Sequence, residues 1–173
     1  MLTPSRPPYL ERSGGEGAAA SAAHVEARGG ENHSGSVLAY GRAVKCVGWS
    51  GSLPLLEIVS APADIVWGVS FLDDPVSRKP SRMDLLGHFG FEVGESMSAV
   101  IRGTLFVVPE TTGNITDPVF ARHTLTGDPA AHEALGRFRT DDGTGTALAV
   151  AGVRWGSKPV AGEVAILEIN LPA

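Results

Sequence analysis

Along most of the chain, short apolar runs alternate with polar residues at a spacing of two, and Gly, Pro, Asp and Asn punctuate them. That is the pattern of an all-β sandwich or barrel. The clearest stretch is 163–171, where Ala165, Leu167, Ile169 and Leu171 share one face and Glu168 and Asn170 the other. This two-residue period predicts a strand with one face buried and one in water. Further strands are predicted at 43–47, 55–59, 65–71, 97–101, 104–108, 118–121, 136–139 and 146–154, about nine in all. Arg102-Gly103 falls between two apolar runs, where it reads as a hairpin turn. Two short helical turns are also expected. Ser81 and Asp84 form a capping box closed by Gly87, and Asp128-Pro129 opens the run 130–135, which stops at Gly136.

The pattern fails before residue 37. From 13 to 36, sixteen of twenty-four positions are Gly, Ala or Ser, and Tyr9 is the only aromatic residue before Tyr40. So little apolar area cannot offset an ordering cost of about 1–2 kcal/mol per residue, so residues 1–36 are expected to form an extended arm. Residues 37–173 form the body, and its length suits one domain with one core. Tyr9, Leu10, Val25 and Leu38 are the few apolar anchors of the arm and its junction.

Charge narrows the partners. The formal net charge is -5, and the fourteen basic residues are scattered without a run. Nucleic acid is therefore not an expected partner. No stretch approaches the eighteen or so apolar residues of a membrane helix, and the start lacks a signal-like apolar run, so neither membrane nor export is expected. The single cysteine, Cys46, excludes an internal disulfide and reads as a small buried hydrophobe among Val44 and Val47.

Candidate chemistry is sparse. The five histidines, His24, His33, His88, His123 and His132, show no ligand spacing and read as solvated surface; no Cys-x-x-Cys or Gly-x-Ser-x-Gly occurs. Asp73-Asp74 and Asp141-Asp142 read as turn residues whose carboxylates bond nearby backbone N–H groups. Gly143-Thr144-Gly145-Thr146 lacks the lysine of a phosphate loop and reads as a hairpin loop. No catalytic residue, metal or cofactor is expected. Among the tryptophans, Trp67 reads as core, Trp155 as core edge or interface, and Trp49, between Gly48 and Gly51, as an exposed interface anchor.

In their order along the chain, several stretches resemble the structural cement, or head decoration, proteins of tailed bacteriophages. They begin with Tyr40-Gly41-Arg42-Ala43-Val44 and Ala63-Asp64-Ile65-Val66-Trp67-Gly68-Val69, continue through 91–100, 102–107, 117–120 and 136–138, and close on Val153-Arg154-Trp155-Gly156-Ser157 and 162–168. The likeness covers about 36–171. It departs in a longer arm and in expanded loops at 73–89 and 125–135. The resemblance implies a β-barrel or jelly-roll body without enzymatic activity, made in the bacterial host cytoplasm, that binds the outer surface of an assembled capsid. The implied partners are the major capsid protein and other copies of the chain as a dimer or trimer. Partner contacts are expected at Tyr9, Leu10, Val25, Leu38, Trp49 and Trp155. The same composition also permits another virion β module of tail or fibre, or a small β-barrel ligand-binding protein or enzyme.

Overall fold

The computed structural model describes residues 16–20, 25–72, 88–127 and 132–172. Within them lie twelve strands: β1 (Glu26–Asn32), β2 (Leu38–Ala39), β3 (Ala43–Ser50), β4 (Leu53–Ile58), β5 (Gly68–Phe71), β6 (Gly90–Phe91), β7 (Ser96–Val107), β8 (Phe120–Arg122), β9 (Phe138–Arg139), β10 (Ala147–Ala149), β11 (Val153–Trp155) and β12 (Ala165–Asn170). The all-β class is as expected. No helix occurs among the described residues; the predicted turn after Ser81 lies outside them, and so does the start of the one after Asp128. His132, within the second predicted helix, has φ 53°, which a right-handed helix does not use.

Seven strands form the main sheet in the order β1-β4-β3-β5-β7-β12-β11, and β1 pairs with β7 as well. That pairing closes β1, β4, β3, β5 and β7 into a ring. The ring is not the single barrel expected, because β7 runs on past it to carry β12 and then β11. A separate small sheet has the order β10-β8-β9, and β2 pairs with β6.

Strand β7 also corrects the predicted hairpin. Its twelve residues are continuous through Arg102-Gly103, yet the side-chain alternation inverts there. Met97, Ala99 and Phe106 join one core cluster, whereas Val100, Leu105 and Val107 join the other. Gly103 sits at φ 136°, a backbone conformation that side chains strongly disfavour, and absorbs the inversion. An interrupted alternation is what a turn would also produce, so the two read alike in sequence.

The predicted strand at 146–154 is divided by a turn into β10 and β11, which belong to different sheets. The stretch 143–146 is not a hairpin loop, since β9 and β10 lie on opposite edges of β8. Its turn chemistry is as expected, with Asp141 Oδ1 accepting from Gly143 N at 2.9 Å and Asp142 Oδ1 from Thr144 N at 3.0 Å.

The Gly/Ala-rich segment is built into the body wherever it is described. Strand β1 runs antiparallel to β7 from Glu26↔Arg102 to Glu31↔Ser96, and its last two residues pair in parallel with Leu55 and Leu56 of β4. Gly30 lets Leu56 lie across the strand; a Cβ there would meet Leu56 Cδ1 at 2.5 Å. Residues 16–20 line the second half of β7, with Gly17 N to Phe106 O at 2.7 Å and Phe106 N to Ala18 O at 2.8 Å. Backbone pairing and a neighbour's leucine thus stabilise a segment whose own side chains bring little.

The core lies on both sides of β7. Phe138, Val119, Ala121 and Val150 from the small sheet and its flanks pack with Leu105, Val107, Leu167, Ile169 and Trp155. The second cluster joins Leu38, Tyr40, Val44, Leu56, Phe91 and Met97. Tyr40 and Phe91 meet edge to face at 5.0 Å. In β12, Ala165, Leu167 and Ile169 are buried as the alternation predicted, and Leu171 follows them. Cys46 and Trp67 are half-buried against the second cluster, and His123, expected at the surface, is buried.

Candidate functional site

Two groups of ionisable side chains lie inside the molecule. In the first, Arg42, 1% exposed, meets Glu16 of the N-terminal segment, Nη1 to Oε1, at 2.6 Å. The other Glu16 oxygen lies 3.5 Å from Arg137 Nη2, and Arg137 also donates to the His132 carbonyl at 2.5 Å and lies 3.1 Å from His88 Nε2. One carboxylate therefore faces two buried guanidinium groups and joins residue 16 to the body.

In the second group, Glu110 accepts from Arg122 Nε through both oxygens, at 2.9 and 2.7 Å, and from the Ala134 N–H at 3.1 Å. Arg139 Nη1 lies 3.4 Å away, while its Nη2 and Nε pair with Asp141. Burial pushes the Glu110 carboxyl up from its ordinary value, against the pull of Arg122, Ala134 N–H and Arg139. Glu133 pairs with Arg122 at 3.1 Å. Burial raises its carboxyl, but hydrogen bonds from Thr126 and Gly127 and the Arg122 charge outweigh that and hold it below its ordinary value. These groups spend their hydrogen-bonding capacity on one another and tie β8 and β9 to the loops around them. Among the described residues, no three His, Cys, Asp or Glu side chains gather as a metal site would require.

The surface offers a different kind of feature. A shallow groove crosses β7, β12 and β11 between Gly103, Gly152, Arg154 and Asn170, and its two charged side chains, Arg154 and Glu168, pair with each other. Large apolar side chains stand in water at Val47, Trp49, Ile65, Val93, Ile115, Leu125 and Val164. Trp49 is the only aromatic among them. It lies on β3 opposite Pro54, just before the turn into β4.

The residues expected to meet a partner fall in different places. Tyr9 and Leu10 lie outside the described residues. Val25 is half-buried against the first core cluster. Leu38 and Trp155 are 0% and 2% exposed and are core residues, so their side chains present no surface in this structure. Leu38 packs in the second cluster beside Tyr40 and Phe91, and Trp155 pairs across β11–β12 with Leu167. Trp49 is 63% exposed. Sequence reasoning passed over Val47, read as a core neighbour of Cys46, and Ile65, read as part of a strand. The absence of charge from Cys46 to Leu56 was the available signal for Val47. Glu16 gave none, because its partners lie far along the chain.

Comparison with known proteins bears on this arrangement. The chain shares its fold with a protein chain in a solved structure titled "The capsid of Myoviridae Phage XM1". The TM-score is 0.64 at 18% identity, covering 90% of this chain and 89% of the other. No match was found among curated proteins. A family model described as "Structural cement protein (E217 gp24/Pam3 gp6)" matches residues 9–170. That match takes in the ring, the small sheet and all of both core clusters but Leu171, and on it the chain belongs to the phage structural cement protein family, structural components of the virion.

Proposed function

We propose that this protein binds the outer surface of an assembled phage capsid and reinforces contacts between major capsid protein subunits, without enzymatic activity. The observation that carries the reading is the cement-family match across residues 9–170, on a fold also found in a phage capsid structure. Its physical logic is mass action. A ligand that binds only the assembled shell stabilises it by RT ln(1 + [L]/Kd), about 2.7 kcal/mol per site at a hundredfold excess over Kd. Repetition over many equivalent sites multiplies that.

The N-terminal residues act as a tether to neighbouring subunits. Because residues 16–20 and β1 hydrogen-bond to β7, the tether is residues 1–15, with Tyr9 and Leu10 as its apolar anchors. Fully extended, fifteen residues span about 50 Å. Two linked contacts hold more tightly than either alone. The protein works as a dimer or trimer, and is made in the host cytoplasm before it joins the shell.

The test is to add purified protein to capsids that lack it. Binding, with a rise in capsid melting temperature, supports the role. A chain lacking residues 1–15 should still bind, with weaker retention. Absence of binding to intact shells, or binding to tails alone, would refute the proposal.

A further inference from the structure

Between Lys45 and Glu57 the chain has no charged side chain, although Lys, Arg, Asp and Glu make up 19% of its residues. This stretch is the outer half of β3, the turn, and most of β4. Sheet edges that stay single in water are commonly guarded by charge. Here that guard is missing from an edge that is open. Strand β5 pairs only with Ala43 and Val44 of β3, and Trp67 N adds a bond to Val44 O at 2.7 Å. Among the described residues, the pairings of β3 from Cys46 to Ser50 all go to β4.

Two side chains on that edge, Val47 and Trp49, are apolar and exposed. The β3–β4 register slips between Cys46 and Gly48, leaving Val47 as the extra residue of a bulge. Bulges re-aim side chains, and Val47 is 44% exposed, with Trp49 two residues on at 63%. Ile65, 83% exposed, follows Asp64, whose carboxylate lies 3.0 Å from Lys45 Nζ and so ties that segment beside β3.

We propose that the outer edge of β3, from Cys46 to Ser50, docks a shell subunit by taking an extended, uncharged segment of it as an added strand, with Trp49 as the anchor. The inference rests on the proposed role at the capsid. Strand addition draws affinity from the main chain and specificity from alternate side chains. An edge without charge does not suit phosphates or lipid headgroups. Nor does it suit a second copy, since two-fold pairing of this edge would bring two bulges together near the centre of a five-residue ladder and break it.

The experiment measures binding of the full-length chain to capsids lacking it, by co-sedimentation, for wild type, Trp49→Ser, Val47→Lys and the control Ile115→Ser, whose side chain is exposed elsewhere. All four should melt alike, because these side chains stand in solvent. Trp49→Ser and Val47→Lys should each bind about thirtyfold more weakly, the loss expected of a central anchor or of a charge forced into the added ladder. Ile115→Ser should stay within about twofold. If wild type binds shells and both edge variants bind as well as it does, the docking edge is wrong while the capsid role stands. If wild type does not bind shells, the capsid role itself fails. If light scattering shows a wild-type dimer that Trp49→Ser makes monomeric, the edge serves a second copy and the proposal is overturned.

Discussion

Replacing Glu16 with Gln tests whether the N-terminal segment is part of the fold. The carboxylate is 2.6 Å from the guanidinium of Arg42 and 3.5 Å from that of Arg137, whose side chains are 1% and 5% exposed. Removing one partner of a buried ion pair costs about 3–5 kcal/mol, because the remaining charge stays out of water. Glutamine keeps the shape and one acceptor oxygen, so the lower end, about 3 kcal/mol, is expected. That is a large share of the roughly 5–15 kcal/mol by which a domain is stable. For a chain of this size it lowers the melting temperature by about 6–12 °C. Circular dichroism melts of wild type, Glu16→Gln and two truncations measure it. Removal of residues 1–15 retains Glu16 and should melt within a few degrees of wild type. Removal of 1–36 deletes Glu16 and β1 together, opens the ring between β4 and β7, and should abolish cooperative unfolding. Added salt should change the Glu16→Gln difference little, since a buried pair is weakly screened. A Glu16→Gln melt within about 2 °C of wild type, or a cooperative melt without residues 1–36, would refute the reasoning.

Three further outcomes follow from the same structure. Gly103→Ala places a side chain at φ 136° and should cost about 1–3 kcal/mol by denaturant midpoint; no measurable loss would mean β7 does not need glycine for its inversion. Leu56→Ala empties a fully buried position between β1 and the second cluster and should cost about 2–5 kcal/mol, with amide exchange in β1 accelerating most. The third concerns pH. Burial raises the Asp64 carboxyl, but the Ser60 and Ala61 N–H groups and Lys45 outweigh it and hold it below its unfolded value of 3.8. Its contribution is therefore present above that pH and lost as pH falls through the lower folded value. Wild-type and Asp64→Asn melting temperatures should differ at pH 6 and draw together as pH falls below about 3.8; a difference that stayed constant as pH fell through and below that value would refute the assignment.

Much of the fold was legible where local chemistry carried it. The β12 alternation, the turn aspartates at 141 and 142, and the exposure of Trp49 beside two glycines each depend on a few adjacent residues. The candidate docking edge was only half legible. Trp49 was visible in the sequence, but Val47 was concealed by a bulge, and bulges are set by how two strands meet.

The sequence by itself determined the β class, the absence of charge from 46 to 56 and a succession of motifs that identifies the family, because these are properties of residue order. Only the tertiary structure decided that Glu26–Asn32 is a ring strand, that Arg102-Gly103 continues a strand without turning it, and that Leu38 and Trp155 are core. Each of those outcomes depends on residues tens of positions away: Ser96 through Arg102 for β1, β12 for the far half of β7, Phe91 for Leu38 and Leu105 for Trp155. A glycine-rich segment has too few side chains to announce its partners. Its place is set by the backbone donors and acceptors that β7 leaves open and by the buried charge that Glu16 answers.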